Sequence, residues 1–321
     1  WLVVNDYTKS AMHKNTELPK NRFTSQDAER LLSDWLSQPV SVNHMHALSG
    51  GMVNQVLYLE FNRAPGRAVL KPEPADAPRK RVQDEYENLR HLRARDFPVP
   101  EPYFLRASDD ALPFNVLALE FWDAVNMGQV RLSRRDAECV EREMAELLLA
   151  LHTHHRATYG DINGEGNPSW ANEFAWRVRP RYENIESKVS AQTFRQIDAI
   201  LDHFDDIFAD PGPPTLVHGD IWATNVMLHQ KADGWHLRGF VDPGALYADV
   251  EYELAYLEVF NTAGRTFFEA YTTKRPLREG YSLRRAVYWL NTMIIHVDHF
   301  GDMHYRHATA SLAEQLTAAL A

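Results

Sequence analysis

The feature that most constrains this chain is a cluster of polar residues held between two apolar runs, LVHGDIWATNVML at 216–228. Flanks of this kind read as buried strands, which puts His218, Asp220 and Asn225 on a tight loop between them. A second strand-like run, GFVDP at 239–243, ends in Asp242. Phosphoryl transfer asks for one carboxylate beside an acceptor hydroxyl, and for an Asn and a second carboxylate to hold Mg²⁺ on the phosphates. Asp220, Asn225 and Asp242 supply those three groups. One Asp–Asn pair making Asx turns is commonplace. Three such groups on two strand-flanked motifs favour the catalytic reading.

The first part of the chain contains groups that fit the same chemistry. Residues 24–38 place Ala28, Leu31, Leu32, Trp35 and Leu36 on one helical stripe, closed by Pro39. Two β-rich runs follow, 53–61 and 67–71, joined by the turn NRAPG. A charged helix is predicted over 79–95, with Val82, Tyr86, Leu89 and Leu92 at helical spacing, before strands at 103–105 and 116–121. The turn Ser49–Gly50–Gly51 leads into the first strand of this lobe, and Lys71 ends the second. Alone, a strand-end lysine is usually a surface residue. Glu85, on the helix after it, is placed to pair with Lys71, whereas Glu87 faces another direction.

Beyond residue 122 the pattern is mostly helical. Ser133 with Asp136 marks a helix start, and Val140, Met144, Leu147, Leu148 and Leu151 form the buried stripe of that helix. Cys139 lies inside it and reads as a packed thiol. As the chain's single cysteine, it excludes an intrachain disulfide framework and a zinc site built on cysteines, which points to a reducing, cytoplasmic setting. His152, His154 and His155 close the helix and read as dipole-compatible residues rather than a metal site. Residues 173–208 and 281–321 are expected to be largely helical. The richest apolar stretch, 286–297, is interrupted by Asn291, Thr292 and His296, so no membrane helix is expected.

Charge narrows the partners. The formal net charge of −10 disfavours nucleic-acid binding. Residues 1–116 carry 15 basic and 15 acidic side chains, so the whole imbalance lies beyond them. Such a surface either is simply solvated or attracts a cationic substrate.

The wording HGDIWATN at 218–225, FVDPGALYADVEYELAYLEVF at 240–260, FFEAYTTKRPL at 267–277 and HVDHFGDMHY at 296–305 resembles a known group. It is similar to the protein-kinase-like small-molecule kinases of the aminoglycoside phosphotransferase type, and within them to the fructosamine (ketosamine) kinases, over residues 40–315. The resemblance implies an α+β, two-lobe protein-kinase-like fold. A small N-terminal lobe, an antiparallel sheet with one helix, would occupy 1–122 and include a helical extension over 1–40, and a larger, mainly helical lobe would occupy 123–321.

It further implies that Asp220 is the catalytic base, that Asn225 and Asp242 hold Mg²⁺, and that Lys71, paired with Glu85, contacts the α and β phosphates of ATP. The turn with Ser49, Gly50 and Gly51 would cover the phosphates, and Glu120 and Trp122 would contribute to the adenine-binding hinge. His218 would brace the catalytic loop, as would Asp249 through backbone hydrogen bonds. Trp222, Asp298, His299 and Phe300 would line the acceptor pocket, with the segment 160–176 helping to shape it. The implied acceptor is a small amine-bearing ketosamine of the fructosamine or ribulosamine type. The alternatives are another small-molecule kinase, of the aminoglycoside, choline or thiamine type, and a nucleotide-binding module without activity. Gly219 stands where protein kinases carry arginine, and only 243–258 separates Asp242 from the next expected helix. That leaves little room for a phosphorylated activation loop.

Overall fold

In the computed structural model, which describes residues 23–48, 55–78 and 81–321, the chain divides after Asp123 into two units. The turn containing Ser49, Gly50 and Gly51 lies outside the described residues.

The first unit contains α1 (Ser25–Leu36), β1 (Val42–Ala47), β2 (Leu57–Phe61), β3 (Arg67–Pro74), α2 (Arg81–Arg93), β4 (Pro102–Arg106) and β5 (Phe114–Glu120). Its strands form one antiparallel sheet in the order β1-β2-β3-β5-β4. The hairpin between β2 and β3 closes where Phe61 N–H donates to Gly66 O at 2.9 Å, and Gly66 takes the positive φ of 83° that the turn requires. In the sequence β1 is marked only as a strand-like edge before the Ser49 turn. Its VNHMHA pattern leaves four of six side chains exposed, so it carries little apolar periodicity.

Helix α1 begins with a reciprocal capping box between Thr24 and Asp27. Its Ala28, Leu31 and Leu32 pack into the same core as Leu57, Leu59 and Leu70 of the sheet. The helix assigned to an N-terminal extension is therefore part of this unit's core. Truncating Leu59, which is fully buried, would cost about 2–5 kcal/mol. Helix α2 buries Val82, Leu89 and Leu92, as its spacing predicts.

The second unit runs β6 (Val125–Asn126), α3 (Arg134–Leu151), β7 (Gly160–Asp161), α4 (Trp170–Asn184), α5 (Ala191–Asp202), α6 (Phe204–Ile207), β8 (Thr215–Val217), β9 (Val226–Lys231), β10 (Gly234–Phe240), β11 (Leu246–Ala248), α7 (Val250–Val259), α8 (Arg265–Lys274), α9 (Tyr281–His299) and α10 (Met303–Leu320). Two small sheets, ordered β10-β9-β6 and β7-β11-β8, are set among the helices. The expected helical run 173–208 is divided, because Ser190 caps a new helix by accepting from Thr193 N–H. Trp170 and Phe174 stack in the core of this unit with Phe204, Phe208 and Tyr288 around them, while Trp176 points to solvent. Of the aromatic side chains in 160–176, Trp170 and Phe174 are thus structural. Helix α7 starts at Val250, so the non-helical stretch after Asp242 is shorter than the expected 243–258.

Candidate active site

The loop from β8 to β9 carries His218, Asp220, Trp222 and Asn225, and the end of β10 leads into Asp242. The loop is tied in several places. Asn225 N–H donates to Trp222 O at 2.8 Å, and Val241 N–H donates to Asn225 O at 3.0 Å. That second bond joins the two motifs that the sequence keeps apart. Gly219 has φ +82°, and a Cβ there would run into the Gly244 carbonyl. Glycine replaces the kinase arginine because the backbone leaves no room for a side chain.

Asp220 is half-buried and specifically held. Tyr256 O–H donates to its Oδ1 at 2.6 Å. Asn225 Nδ2 donates to its Oδ2 at 3.1 Å and to its backbone carbonyl at 2.9 Å. Burial pushes the Asp220 carboxyl up to about 6, and the charge of Asp242 adds to that, while the bonds from Tyr256 and Asn225 pull the other way. Tyr256 itself is raised well above its ordinary value by burial and by Asp220, so it stays a donor. With its nitrogen turned to Asp220, Asn225 has its amide oxygen left to meet a cation. Asp242 is exposed and adopts a left-handed φ of +54°. An amide oxygen and an exposed carboxylate are hard oxygen donors, the set that Mg²⁺ prefers.

His218 is fully buried, and its Nδ1 accepts from the Asp220 backbone N–H at 3.3 Å. Burial drives its pKa down to about 4, and it also hydrogen-bonds the Val241 backbone. It therefore bridges the loop and the Asp242 segment as a neutral imidazole.

Asp249 departs from expectation. Its carboxylate accepts from Glu251 N–H at 3.1 Å, capping α7, from Arg278 Nη2 at 2.7 and 2.6 Å, and from Tyr288 O–H at 3.1 Å. The loop contact expected of Asp249 is made by Glu253, whose Oε1 accepts from Gly219 N–H at 2.7 Å. The reason is positional: at the N-cap, Asp249 is committed to its own helix, while Glu253 lies one turn further along. Its other oxygen pairs with His152 Nε2 at 2.9 Å, and His152 Nδ1 is hydrogen-bonded to Tyr271 O–H at 2.7 Å. Glu253 and His152 are missed by motif reading, and α7 offers no clear signal, since it carries Glu251 and Glu258 as well as Glu253.

The acceptor candidates separate. Trp222 lies beside Phe260, with ring centroids 6.3 Å apart, and Phe260 contacts both Tyr256 and His296. Phe300 joins that aromatic cluster through His296 and is 44% exposed. Asp298 is instead taken up by ion pairs with Arg181 at 3.0 Å and Lys188 at 3.2 Å, with Asn184 donating at 3.3 Å. These bonds hold its carboxyl below the usual range despite partial burial. His299 Nδ1 is bonded to Ile295 O at 2.9 Å, and its Nε2 lies 3.3 Å from Arg181. Asp298 is thus occupied by side chains of its own unit, whereas His299 also meets Phe300 of the aromatic cluster, with ring centroids 6.1 Å apart.

In the first unit, Lys71 on β3 and Glu85 on α2 form an ion pair at 2.7 Å, with side chains 8% and 16% exposed. Such burial is unusual for a solvated lysine and matches the expected pairing with Glu85. Glu120 ends β5; its N–H donates to Glu101 O at 2.8 Å and its Oε2 accepts from Glu101 N–H at 3.2 Å. Trp122 is buried two residues on.

The fructosamine kinase family model matches residues 24–318. The chain belongs to the fructosamine kinase family. Mouse (Mus musculus) ketosamine-3-kinase is 29% identical over 152 residues, 46% of this chain and 47% of that protein. The chain spans about half the length of the curated relatives it matches. Among solved structures, a protein assigned as a fructosamine-3-kinase from Haemophilus somnus superposes with a TM-score of 0.72 at 19% identity, covering 90% of this chain and 96% of that one. An aminoglycoside phosphotransferase, APH(2'')-Ib with ADP bound, gives 0.59 at 17% identity over 90% and 95% of the two chains. At such identities the likeness establishes the fold, which is that of the aminoglycoside phosphotransferases. No described helix of this fructosamine kinase family member is long and apolar enough to cross a membrane.

Proposed function

We propose that the chain is an ATP-dependent kinase that phosphorylates a hydroxyl of a small ketosamine, of the fructosamine or ribulosamine type. The observation that carries this reading is Asp220, a carboxylate held by Tyr256 and Asn225 with its proton affinity raised to about 6. Such a group is ionised at neutral pH yet basic enough to take a hydroxyl proton. The acceptor oxygen bonds to the γ-phosphorus, the bond to the β-bridging oxygen breaks, ADP leaves, and the hydroxyl proton passes to Asp220.

Asn225 Oδ1 and the Asp242 carboxylate would hold Mg²⁺, which offsets charge on the phosphates when bound. Lys71, kept extended by Glu85, would meet the α and β phosphates, and the backbone around Glu120 and Trp122 would meet adenine. His218, Glu253 and His152 act indirectly, by holding the Asp220 loop. Trp222 and Phe300 are the aromatic surfaces offered to the acceptor. Family membership and the ketosamine-3-kinase relative support the substrate class, and the single cysteine supports a cytoplasmic setting.

The test is ATP turnover with a panel of fructosamine and ribulosamine conjugates, an aminoglycoside, choline and thiamine, with and without Mg²⁺. Mg²⁺-dependent ADP release with the ketosamines, far above the others, is the expected outcome. Preference for another acceptor would replace the substrate class. Nucleotide binding with no turnover on any acceptor would replace the enzyme by an inactive module.

A further inference from the structure

Away from the catalytic loop, α3 and β10 bring together a thiol, a carboxylate and an imidazole. Cys139 and Glu143 stand one helical turn apart on the same face of α3. His236 faces them from β10, with Nδ1 2.6 Å from Glu143 Oε1. Cys139 Sγ lies 3.8 Å from Glu143 Oε1 and 3.9 Å from His236 Nδ1. All three donor atoms fall within 4.8 Å of one another.

We propose that Cys139 Sγ, Glu143 Oε1 and His236 Nδ1 form a binding site for a borderline transition-metal ion such as Zn²⁺, separate from the Mg²⁺ chemistry of Asn225 and Asp242. The donor set decides the class of ion: sulfur, imidazole nitrogen and one carboxylate oxygen suit Zn²⁺ and Co²⁺, whereas Mg²⁺ demands oxygen. Tetrahedral coordination with bonds of ~2.0–2.3 Å needs donors roughly 3.3–3.6 Å apart. The sulfur is already near that separation from both partners. The oxygen and nitrogen, drawn together by a shared proton, must open as the ion replaces it and the thiol proton leaves. Glu143 has the freedom for this, since its side chain is 31% exposed, which also provides a way in for the ion.

Two outer contacts resemble those of built metal sites. His236 Nε2 is 3.1 Å from Asp233 Oδ1, the carboxylate–histidine arrangement that fixes the tautomer with Nδ1 toward a metal. The second oxygen of Glu143 accepts from Leu237 N–H at 2.7 Å, which orients the first toward the cluster. A fourth position remains for water. His229, the ladder partner of His236, lies beside the cluster with its ring 6.5 Å from that of His236. The bound ion would clamp β10, the strand that delivers Asp242, onto α3. A single cysteine rules out a site of several thiolates, but not this mixed set of sulfur, nitrogen and oxygen.

The experiment uses the full chain, treated with chelator and then titrated with Co²⁺ in excess Mg²⁺ to saturate oxygen-only sites. The expected result is about one equivalent of Co²⁺ with intense tetrahedral visible bands and a thiolate-to-cobalt charge-transfer band, bleached by Zn²⁺. Because the chain has one cysteine, that band can arise from Cys139 alone. Cys139→Ser should abolish it, and Asp233→Asn should weaken binding about 10-fold or more through the outer contact. A measurement without variants stands beside these: Zn²⁺ should slow alkylation of Cys139 in the unmodified chain. Absence of the charge-transfer band at saturating Co²⁺, or alkylation unaffected by Zn²⁺, would overturn the site and leave a proton-bridged histidine–carboxylate network in its place. So would a band that persists undiminished in His236→Gln.

Discussion

Glu253 accepts the backbone N–H of Gly219 at 2.7 Å, so a side chain in α7 holds the catalytic loop one residue before Asp220. The other carboxylate oxygen is bonded to His152, which burial keeps neutral, and both side chains are fully screened from solvent. Position and chemistry are therefore coupled through a buried hydrogen-bond relay that touches no reacting atom.

Removing the relay should lower turnover without abolishing binding. Glu253→Ala leaves the Gly219 amide and the His152 ring nitrogen without this partner, at about 1–3 kcal/mol for each buried group. The expected outcome is a lower Tm together with a fall in kcat larger than the change in nucleotide KM. Glu253→Gln keeps an acceptor for Gly219 and can donate to His152 in its other tautomer, so it should recover most of both. Thermal melts and steady-state kinetics on the pair check this, and equal damage from Gln and Ala would point to the charge instead.

Much of this was legible beforehand, for definite physical reasons. Lys71 and Glu85 were readable because a strand end and a helix face each impose a period that selects one partner, and the pair forms at 2.7 Å. Asp220, Asn225 and Asp242 were readable because polar residues are costly inside apolar runs and imply a purpose. Glu253 and His152 were not, since their contacts join positions 101 residues apart and no local pattern records such a pairing. Asp249 misled for the complementary reason: the family wording marks it, while its N-cap position, set by where α7 begins, assigns its bonds to Glu251, Arg278 and Tyr288. Asp298 was singled out by wording alone, and three basic or amide side chains that occupy it lie on other segments.

The pH profile should report Asp220. Its carboxyl is raised to about 6 and must be ionised to accept a proton, so kcat/KM should fall as pH drops through that value. His218, driven to about 4, does not contribute to that limb. Tyr256→Phe removes a hydrogen bond to the charged carboxylate, a bond that lowers its pKa, so the limb should move to higher pH. Asp220→Asn should reduce kcat by at least ~100-fold with nucleotide affinity nearly intact. A limb unmoved in Tyr256→Phe would assign it to another group.

Metal dependence separates Asp242 from Asn225. Asp242→Ala deletes an exposed carboxylate whose charge would offset the ion, and Mg²⁺-dependent turnover should be lost. Asn225→Ala deletes a neutral ligand that water partly replaces, but it also frees Asp220 from two hydrogen bonds at 2.9 and 3.1 Å. Raising Mg²⁺ should therefore restore part of the activity of Asn225→Ala and none of that of Asp242→Ala. Titrating Mg²⁺ against initial rate for both variants decides the ranking, and rescue of Asp242→Ala alone would reverse the ligand assignment.

The acceptor should be recognised through its amine. The net charge of −10 lies wholly beyond residue 116, on the part of the chain that carries Asp220 and the Trp222–Phe260 aromatic cluster. A protonated amine is drawn toward such a surface, and attraction acting over more than ~8 Å is screened at physiological salt. Fructose and ribulose conjugates of lysine should thus be turned over far better than the free sugars. Their KM should rise with ionic strength while kcat changes less, because encounter and binding feel the long-range field and the proton transfer to Asp220 does not. Matched amine-bearing and neutral acceptors compared at low and moderate salt provide the measurement. Equal kcat/KM for the two classes would remove charge from acceptor selection and shift it to shape at Trp222 and Phe300, whose substitution by alanine should then raise KM for both classes alike.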